Sequence, residues 1–504
     1  MPMNAPVRIL FRVIPWGTLI TLACVFAGPT YGQSSPTSSS SPGGQQGGAA
    51  NADFDSLIDL IQSTVASDTW MENGTGDGEI SPFPTGVFVD SVGTLRFSQT
   101  SLAKVPLSRA PTKSSEREPQ DARRDSTMRF VSLPRLEAAI LRRQIAHQPL
   151  LPEMLTLAGL ERIEYVLVDS EVGDLVLAGP AGDWQTADGS LVSVATGRPV
   201  VRLDDLLTLW RRQTHAAASF GCSINPRQEA LAKTQQYLEV SSSEPIGSSE
   251  RGQWLKGLRD TLGRQDVEFF GIDSANHVAQ VLLVADYHMK LIGMGIADGV
   301  PGIESYLDTV RFLPDGSAPP MRVLRWWFAM QYDPVEVSAD RCAFRLAGQG
   351  VRVLSETELL SARGQRVHTG QSDELNRRFV DSFTEHFEEL AAAYPLYDEL
   401  RNVFDMALVL AIIERESLLE RVGWKAELFA SADVLRLPQV AVPREVETVV
   451  NHRVINRRHI IAGISGGVWV DAHNSLDIKV AGESKTAAPA SRQPPADAEL
   501  WWWD

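Results

Sequence analysis

The sequence has little of several things, and each shortage excludes something. Three cysteines in 504 residues, Cys24, Cys222 and Cys342, cannot form the disulfide framework that staples small secreted domains. Positive charge is in deficit: 47 Lys and Arg face 63 Asp and Glu, a net of −16. That balance argues against nucleic acid and anionic lipid surfaces as partners. Beyond the N-terminus no apolar run approaches the ~20 residues needed to cross a bilayer. The longest, Met406 to Ile413, is flanked by Asp405 and Glu414 and reads as a buried helix. The HExxH pattern is missing, and Gly293-Met294-Gly295 lacks the third glycine of a dinucleotide fingerprint.

What is present begins with an export signal. Arg8 and Arg12 form a positive n-region, Val13 to Ala27 is largely apolar, and Thr30-Tyr31-Gly32 offers small residues for cleavage. Residues 1–32 read as a cleaved signal peptide, which places the mature chain in the periplasm or cell envelope with no transmembrane segment. Ala23-Cys24 mimics a lipoprotein site, but Thr21 replaces the usual aliphatic residue and Val25-Phe26 continue the apolar run. Cleavage removes two arginines and no acid, which moves the net charge to −18. Cys222 and Cys342 remain, and the sequence leaves open whether they pair or stay as thiols.

Residues 33–51, rich in Ser, Gly and Gln, form a flexible tether. Residues 52–107 read as a small module in which the helix FDSLIDLIQSTV precedes the strand GVFVDSV, and residues 108–127 as a polar linker. The region 128–312 shows internal similarity. Pro134-Arg135-Leu136-Glu137-Ala138 recurs as Pro226-Arg227-Gln228-Glu229-Ala230, and the strand ending at Asp169-Ser170 recurs as one ending at Asp273-Ser274. Gly197-Arg198-Pro199 likewise precedes LDDLLTLWR as Gly299-Val300-Pro301 precedes IESYLDTVR. The expected class is α+β, with duplicated helix, β-hairpin and helix units at 130–212 and 224–312. A β-rich segment follows at 313–372, then a helical pair and C-terminal strands at 373–475 and a disordered tail at 476–504. In this reading Asp169 and Asp273 cap the turns of equivalent hairpins, and VAQVLLVAD is the returning strand of the second.

The candidate sites are sparse. Asp273, His277, Asp286 and His288 cluster in sequence, yet along one extended strand they spread over roughly 30 Å or more. Asp286 and His288 alone share a face and would need ligands from elsewhere. His386 with Glu385 and Glu389 reads as a solvated helix group, and Trp326-Trp327-Phe328 as a strand with at least one ring in the core. Gly463-Ile464-Ser465-Gly466-Gly467 fits G-x-S-x-G, but the following VWVD is β-forming where a nucleophile elbow needs a helix. Asp471 and His473 also stand too near Ser465 in sequence to resemble the usual acid and base. The run reads as a glycine turn between strands. No residue is assigned a catalytic, cofactor-binding or metal role. Terminal Trp501-Trp502-Trp503 is an aromatic end with no assigned partner.

The phrases VSLPRLEAAI, LAGLERIEYVLVD, TGRPVVRLDDLL, VADYHMKLIGMG, RWWF, LRNVFDMALV and NHRVINRRHIIAGISGGV together resemble a family of exported planctomycete proteins classed as a domain of unknown function. The resemblance spans about residues 128–475. It implies location and class and carries no catalytic residue across. The expected function is a non-catalytic, exported envelope protein that binds or scaffolds another envelope component. The alternative is a secreted hydrolase or metal-dependent enzyme whose site is assembled from scattered residues such as Asp286, His288 and Ser465.

Overall fold

A computed structural model describes residues 79–83, 86–90, 121–187, 189–213, 219–241, 251–309, 323–360, 366–432, 434–455, 458–480, 495–497 and 499–504. The expected signal and tether, the expected helix FDSLIDLIQSTV and residues 108–120 of the expected linker lie outside these residues.

The elements run β1 (Glu79–Phe83), β2 (Gly86–Asp90), β3 (Ser126–Ser132), α1 (Leu133–Ile145), α2 (Pro152–Leu155), β4 (Tyr165–Asp169), β5 (Asp174–Ala181), β6 (Trp184–Ala187), β7 (Ser190–Ser193) and α3 (Leu203–Gln213). Next come β8 (Phe220–Pro226), α4 (Gln228–Ser241), α5 (Arg251–Leu262), β9 (Arg264–Phe270), α6 (His277–Gly293) and α7 (Tyr306–Thr309). The β-rich segment supplies β10 (Val323–Gln331), β11 (Val335–Val337), β12 (Ala343–Arg345), β13 (Gly350–Leu360) and β14 (Arg366–Val367). The rest holds α8 (Glu374–Glu385), α9 (Phe387–Ala393), α10 (Pro395–Arg415), α11 (Leu418–Val422), α12 (Glu427–Ala430), β15 (Glu445–Glu447), β16 (Val450–Ile455), β17 (Arg458–Val470), α13 (Ala472–Ser475), β18 (Ile478–Val480) and β19 (Trp502–Trp503).

The class is α+β. Two mixed sheets dominate. One has the order β18-β11-β12-β4-β5-β3-β19, and the other the order β14-β13-β10-β17-β8-β9-β15 with β16 added to β17. In the second, β10 and β17 run parallel and the other pairs are antiparallel. α10 lies at the centre of the helical layer. Pro395 occupies its first turn, where a missing N–H costs little, and Tyr397 through Ile413 are almost all buried. The expected helical pair therefore stands, with the first helix broken at His386 into α8 and α9.

The duplication does not stand. After Asp169 the chain turns into β5 and forms a true hairpin, with Asp169 paired to Asp174. After Asp273 it enters α6, so VAQVLLVAD is helix. Pro134 lies in the first turn of α1, whereas Pro226 ends strand β8. The reason is burial. Fourteen of the seventeen residues of α6 are buried, and a helix buried on all sides shows no 3.6-residue polar stripe to separate it from a buried strand. The decisive local signal is Asn276, whose side chain accepts the Ala279 N–H at 2.9 Å and caps the helix.

Within the tail expected to be disordered, the described residues at its two ends include strands, a second correction, while residues 481–494 and 498 lie outside the described residues. β18 adds parallel to β11, and β19 adds antiparallel to β3. Trp501, Trp502 and Trp503 are all buried, and the Trp503 ring stacks on Phe130 with centroids 5.6 Å apart. Arg129, fully buried, donates to Ala122 O, Ala158 O and Arg124 O and grips the Asp504 carboxylate through Nε and Nη2 at 2.8 and 3.1 Å. Its guanidinium also lies 4.6 Å from the Trp502 ring centroid. Burial of three aromatic side chains opposes the entropy cost of ordering the end of the chain.

The glycine run Gly463 to Gly467 is a third. It lies inside β17 and makes no turn. A side chain at Gly466 would strike the backbone oxygen of Trp326 and crowd Asp286, so the glycine permits close packing of strand on strand and strand on helix.

Candidate functional site

Successive side chains of the eight-stranded sheet point to opposite faces, and the two faces have different chemistry. The inner face carries Phe220, Cys222, Ile224, Val267, Ile464, Val468, Leu324, Trp326, Phe328, Val351 and Val353, all buried beneath α6 and α8. Gly293 at the end of α6 leaves the space that the Trp326 ring fills, so Gly293-Met294-Gly295 serves packing. The indole N–H of Trp326 donates to Asn376 Oδ1 on α8.

Most of the residues singled out from the sequence sit at or below this inner face as structural groups. Asp286 is fully buried with Lys290 Nζ 2.6 Å away, one turn along α6. Burial pushes the Asp286 carboxyl up and the Lys290 ammonium down, while each partner opposes the shift of the other. His288 points elsewhere on the helix. Its Nδ1 is hydrogen-bonded to Tyr397 Oη at 2.9 Å, Tyr394 packs edge-on to its ring, and burial lowers its pKa to about 4. The shared strand face of Asp286 and His288 is thus dissolved, because residues two apart on a helix diverge. His277 starts α6 with Nδ1 2.9 Å from Asp205 Oδ2; burial opposes its charged form, but Asp205 outweighs this and holds the pKa above the ordinary value. Asp273 is exposed and accepts the Ala275 N–H at 3.1 Å, as Asp169 accepts those of Glu171 and Val172 at 3.0 Å. The turn-capping role survives although the hairpin does not.

The remaining candidates separate as well. Ser465 is buried within β17 and donates to Leu324 O at 3.3 Å. Asp471 caps α13 through the Asn474 N–H, and His473 Nε2 lies 2.8 Å from Glu414. Asp286 and Ser465 are on opposite sides of the sheet. His386 packs its ring against Gly302, whose φ of 100° favours glycine. Cys222 is buried and Cys342 half-buried, and both are free.

The outer face holds the groups that sequence reasoning missed. Strand registers lay it out in rows. One runs Phe270, Gly221, Trp469, Ala329, Arg352 across β9, β8, β17, β10 and β13. The next, about 7 Å along the strands, runs Glu268, Ser223, Gly467, Trp327, Leu354. Trp469 is 48% exposed and is the one aromatic among the exposed large hydrophobics of the described residues. Gly221 has no side chain, which lets the Phe270 ring lean across β8 until its centroid is 4.9 Å from Trp469. Arg325 lies over Trp327 at 4.9 Å. A third row brings Arg325 beside Ser465 on β17 and Glu356 on β13, and Asp266 opposite Asn225.

Past that row the β13–β14 hairpin carries a charged cluster. Glu356 and Glu358 share a face of β13, and Arg366 and His368 return from β14. His368 Nδ1 lies 3.2 Å from Glu356 Oε2 and 3.1 Å from Glu358 Oε1. Arg366 Nη1 is 3.3 Å from Glu358 Oε2, Arg366 Nη2 donates to Asn225 Oδ1 at 2.9 Å, and Arg325 Nη1 is 3.5 Å from Glu356 Oε2. Burial pushes the Glu358 carboxyl up. Burial also opposes ionisation of Glu356, but the Gly370 N–H, donating at 2.7 Å, and His368 bring its pKa below the usual range. The readable signal is E-x-E in one strand and R-x-H in the next. Only the pairing of Leu359 with Val367 shows that they meet.

Comparison with known proteins places one segment. Residues 222–306 match the family model described as Protein of unknown function (DUF1598). The matched segment covers most of β8 and extends through β9 and α6 into α7. It holds Ser223, Asn225, Asp266, Glu268 and Phe270 of the outer face, but neither Trp469 nor the Glu356, Glu358 and His368 cluster. No curated protein and no solved structure matches the chain. No helix among the described residues is long and apolar enough to cross a membrane.

Proposed function

We propose that the protein is an exported, non-catalytic envelope module that binds a neutral polysaccharide chain on the outer face of its eight-stranded sheet. One observation carries this: Trp469, 48% exposed, sits beside Phe270 on an open sheet face with a second tryptophan, Trp327, in the adjacent row. An exposed indole packed beside a second aromatic ring offers a flat apolar surface on which a ligand can stack. The flat C–H face of a sugar ring complements such a ring. Glu268 and Ser223 supply polar groups for sugar hydroxyls in the adjacent row. The strong negative charge of the chain disfavours polyanionic ligands. Support for a binding module over an enzyme comes from Asp286, His288 and Ser465, which are engaged separately and on different sides of the sheet.

The binding test is depletion of purified protein from solution by insoluble cellulose, chitin and a β-1,3-glucan. Saturable depletion by at least one of them, reduced in Trp469→Ala, supports the reading. No depletion by any of the three contradicts it. The export part is tested by N-terminal sequencing of envelope material. A start near Gln33 is expected, and recovery of Met1 contradicts it.

A further inference from the structure

We propose that Glu356, Glu358 and His368 bind a divalent first-row transition ion of the Zn2+ class. The donor atoms of the three residues all lie within 4.8 Å of one another. The two imidazole-to-carboxylate distances, 3.1 and 3.2 Å, match the edge of a coordination polyhedron with metal bonds of about 2.1 Å. A second observation points to a ligand. The Glu358 side chain is fully buried, yet neither carboxylate oxygen accepts a hydrogen bond, although Arg366 and His368 approach within 3.3 Å. A carboxylate in that position is normally satisfied, and an ion seated between it and His368 would satisfy it.

The surroundings suit this role. Glu356 is oriented by the Gly370 N–H on Oε1, which leaves Oε2 facing His368. Arg366 is fixed to Asn225 on β8 and so pins the hairpin above the sheet. His368 is 59% exposed, so solvent or a ligand group can complete the coordination from outside. Selectivity follows from charge and donor type. Two carboxylates are offset by Arg325 and Arg366, which leaves little net negative charge for the oxygen-seeking Ca2+ and Mg2+. An imidazole donor favours a borderline ion. The inference is independent of polysaccharide binding.

The experiment uses tag-free mature protein, stripped with a chelator and titrated calorimetrically with Zn2+ at neutral pH. The variants are His368→Gln, Glu358→Gln and, as a control histidine in a surface ion pair, His473→Gln. Circular dichroism establishes that each variant is folded. Wild type and His473→Gln should show a single saturable site, and His368→Gln and Glu358→Gln should each bind at least about tenfold more weakly. Co2+ substitution should give a ligand-field spectrum that His368→Gln lacks. Absence of binding by wild type overturns the proposal. So does unchanged binding in folded His368→Gln, which would put the ion elsewhere; if Glu358→Gln does not fold, His368→Gln alone decides.

Discussion

The two faces of the eight-stranded sheet are built from the same strands and differ in how their polar groups are used. On the inner face the Asp286–Lys290 pair is sealed from water and each charge answers the other. On the outer face Glu356, Glu358 and His368 converge where His368 is open to solvent and a ligand can reach them, and an exposed indole stands on the same face. A buried pair costs desolvation and returns Coulomb energy, so its removal is read in stability. Groups that a ligand can reach are read in binding.

The largest expected effect comes from breaking the inner pair. Lys290→Ala strands a buried carboxylate and should cost about 3–5 kcal/mol in urea unfolding. The double replacement Asp286→Leu with Lys290→Met should cost far less, because no charge is left unpaired. If Lys290→Ala were as mild as the double variant, the inner and outer faces would not differ as described.

The next effect is pH dependence beneath the sheet. His288 has a folded pKa of about 4 against an ordinary 6.5. Between those values the unfolded chain binds the proton more readily, so stability is full above about pH 6.5 and falls as the pH drops toward 4. The loss is about 3 kcal/mol from this group. His288→Gln should flatten stability curves measured between pH 7 and 4, and an unchanged slope would assign the acid sensitivity elsewhere.

Smaller effects fall at the strand end that joins the faces. Asn276→Ala removes the cap of α6 and should cost about 1 kcal/mol. Asp273→Ala should cost about 0.5–1 kcal/mol, and Asp273→Asn less, because an amide oxygen still accepts the Ala275 N–H. Thermal melts at neutral pH rank the three. None should change ligand or metal binding in folded protein.

The same contrast explains what could be read from the sequence. Trp326-Trp327-Phe328 was legible as a strand with at least one ring in the core, where Trp326 and Phe328 lie, and a helical pair was legible where α8 to α10 stand. Asp273 was recognisable as a turn residue from its own chemistry. Elements buried on both sides were not recognisable. The continuous apolar content of α6 imitates a strand, and the apparent repeat with residues 165–181 followed from that imitation. The Glu356, Glu358 and His368 cluster depends on strand register, and the docking of Trp502 and Trp503 on β3 depends on an edge far away in sequence. Local pattern carries no information about either pairing.

The central claim is that the outer face is the working surface, and Trp469 is its most direct probe. Trp469→Ala should cost about 1 kcal/mol of stability or less, since the ring is half exposed and touches Phe270 at its edge of the core. The deciding measurement is the binding isotherm of folded Trp469→Ala beside wild type on whichever insoluble polysaccharide depletes the wild type. A loss of at least about tenfold in affinity at nearly unchanged melting temperature is the predicted result. Affinity equal to wild type in the folded variant would contradict the account.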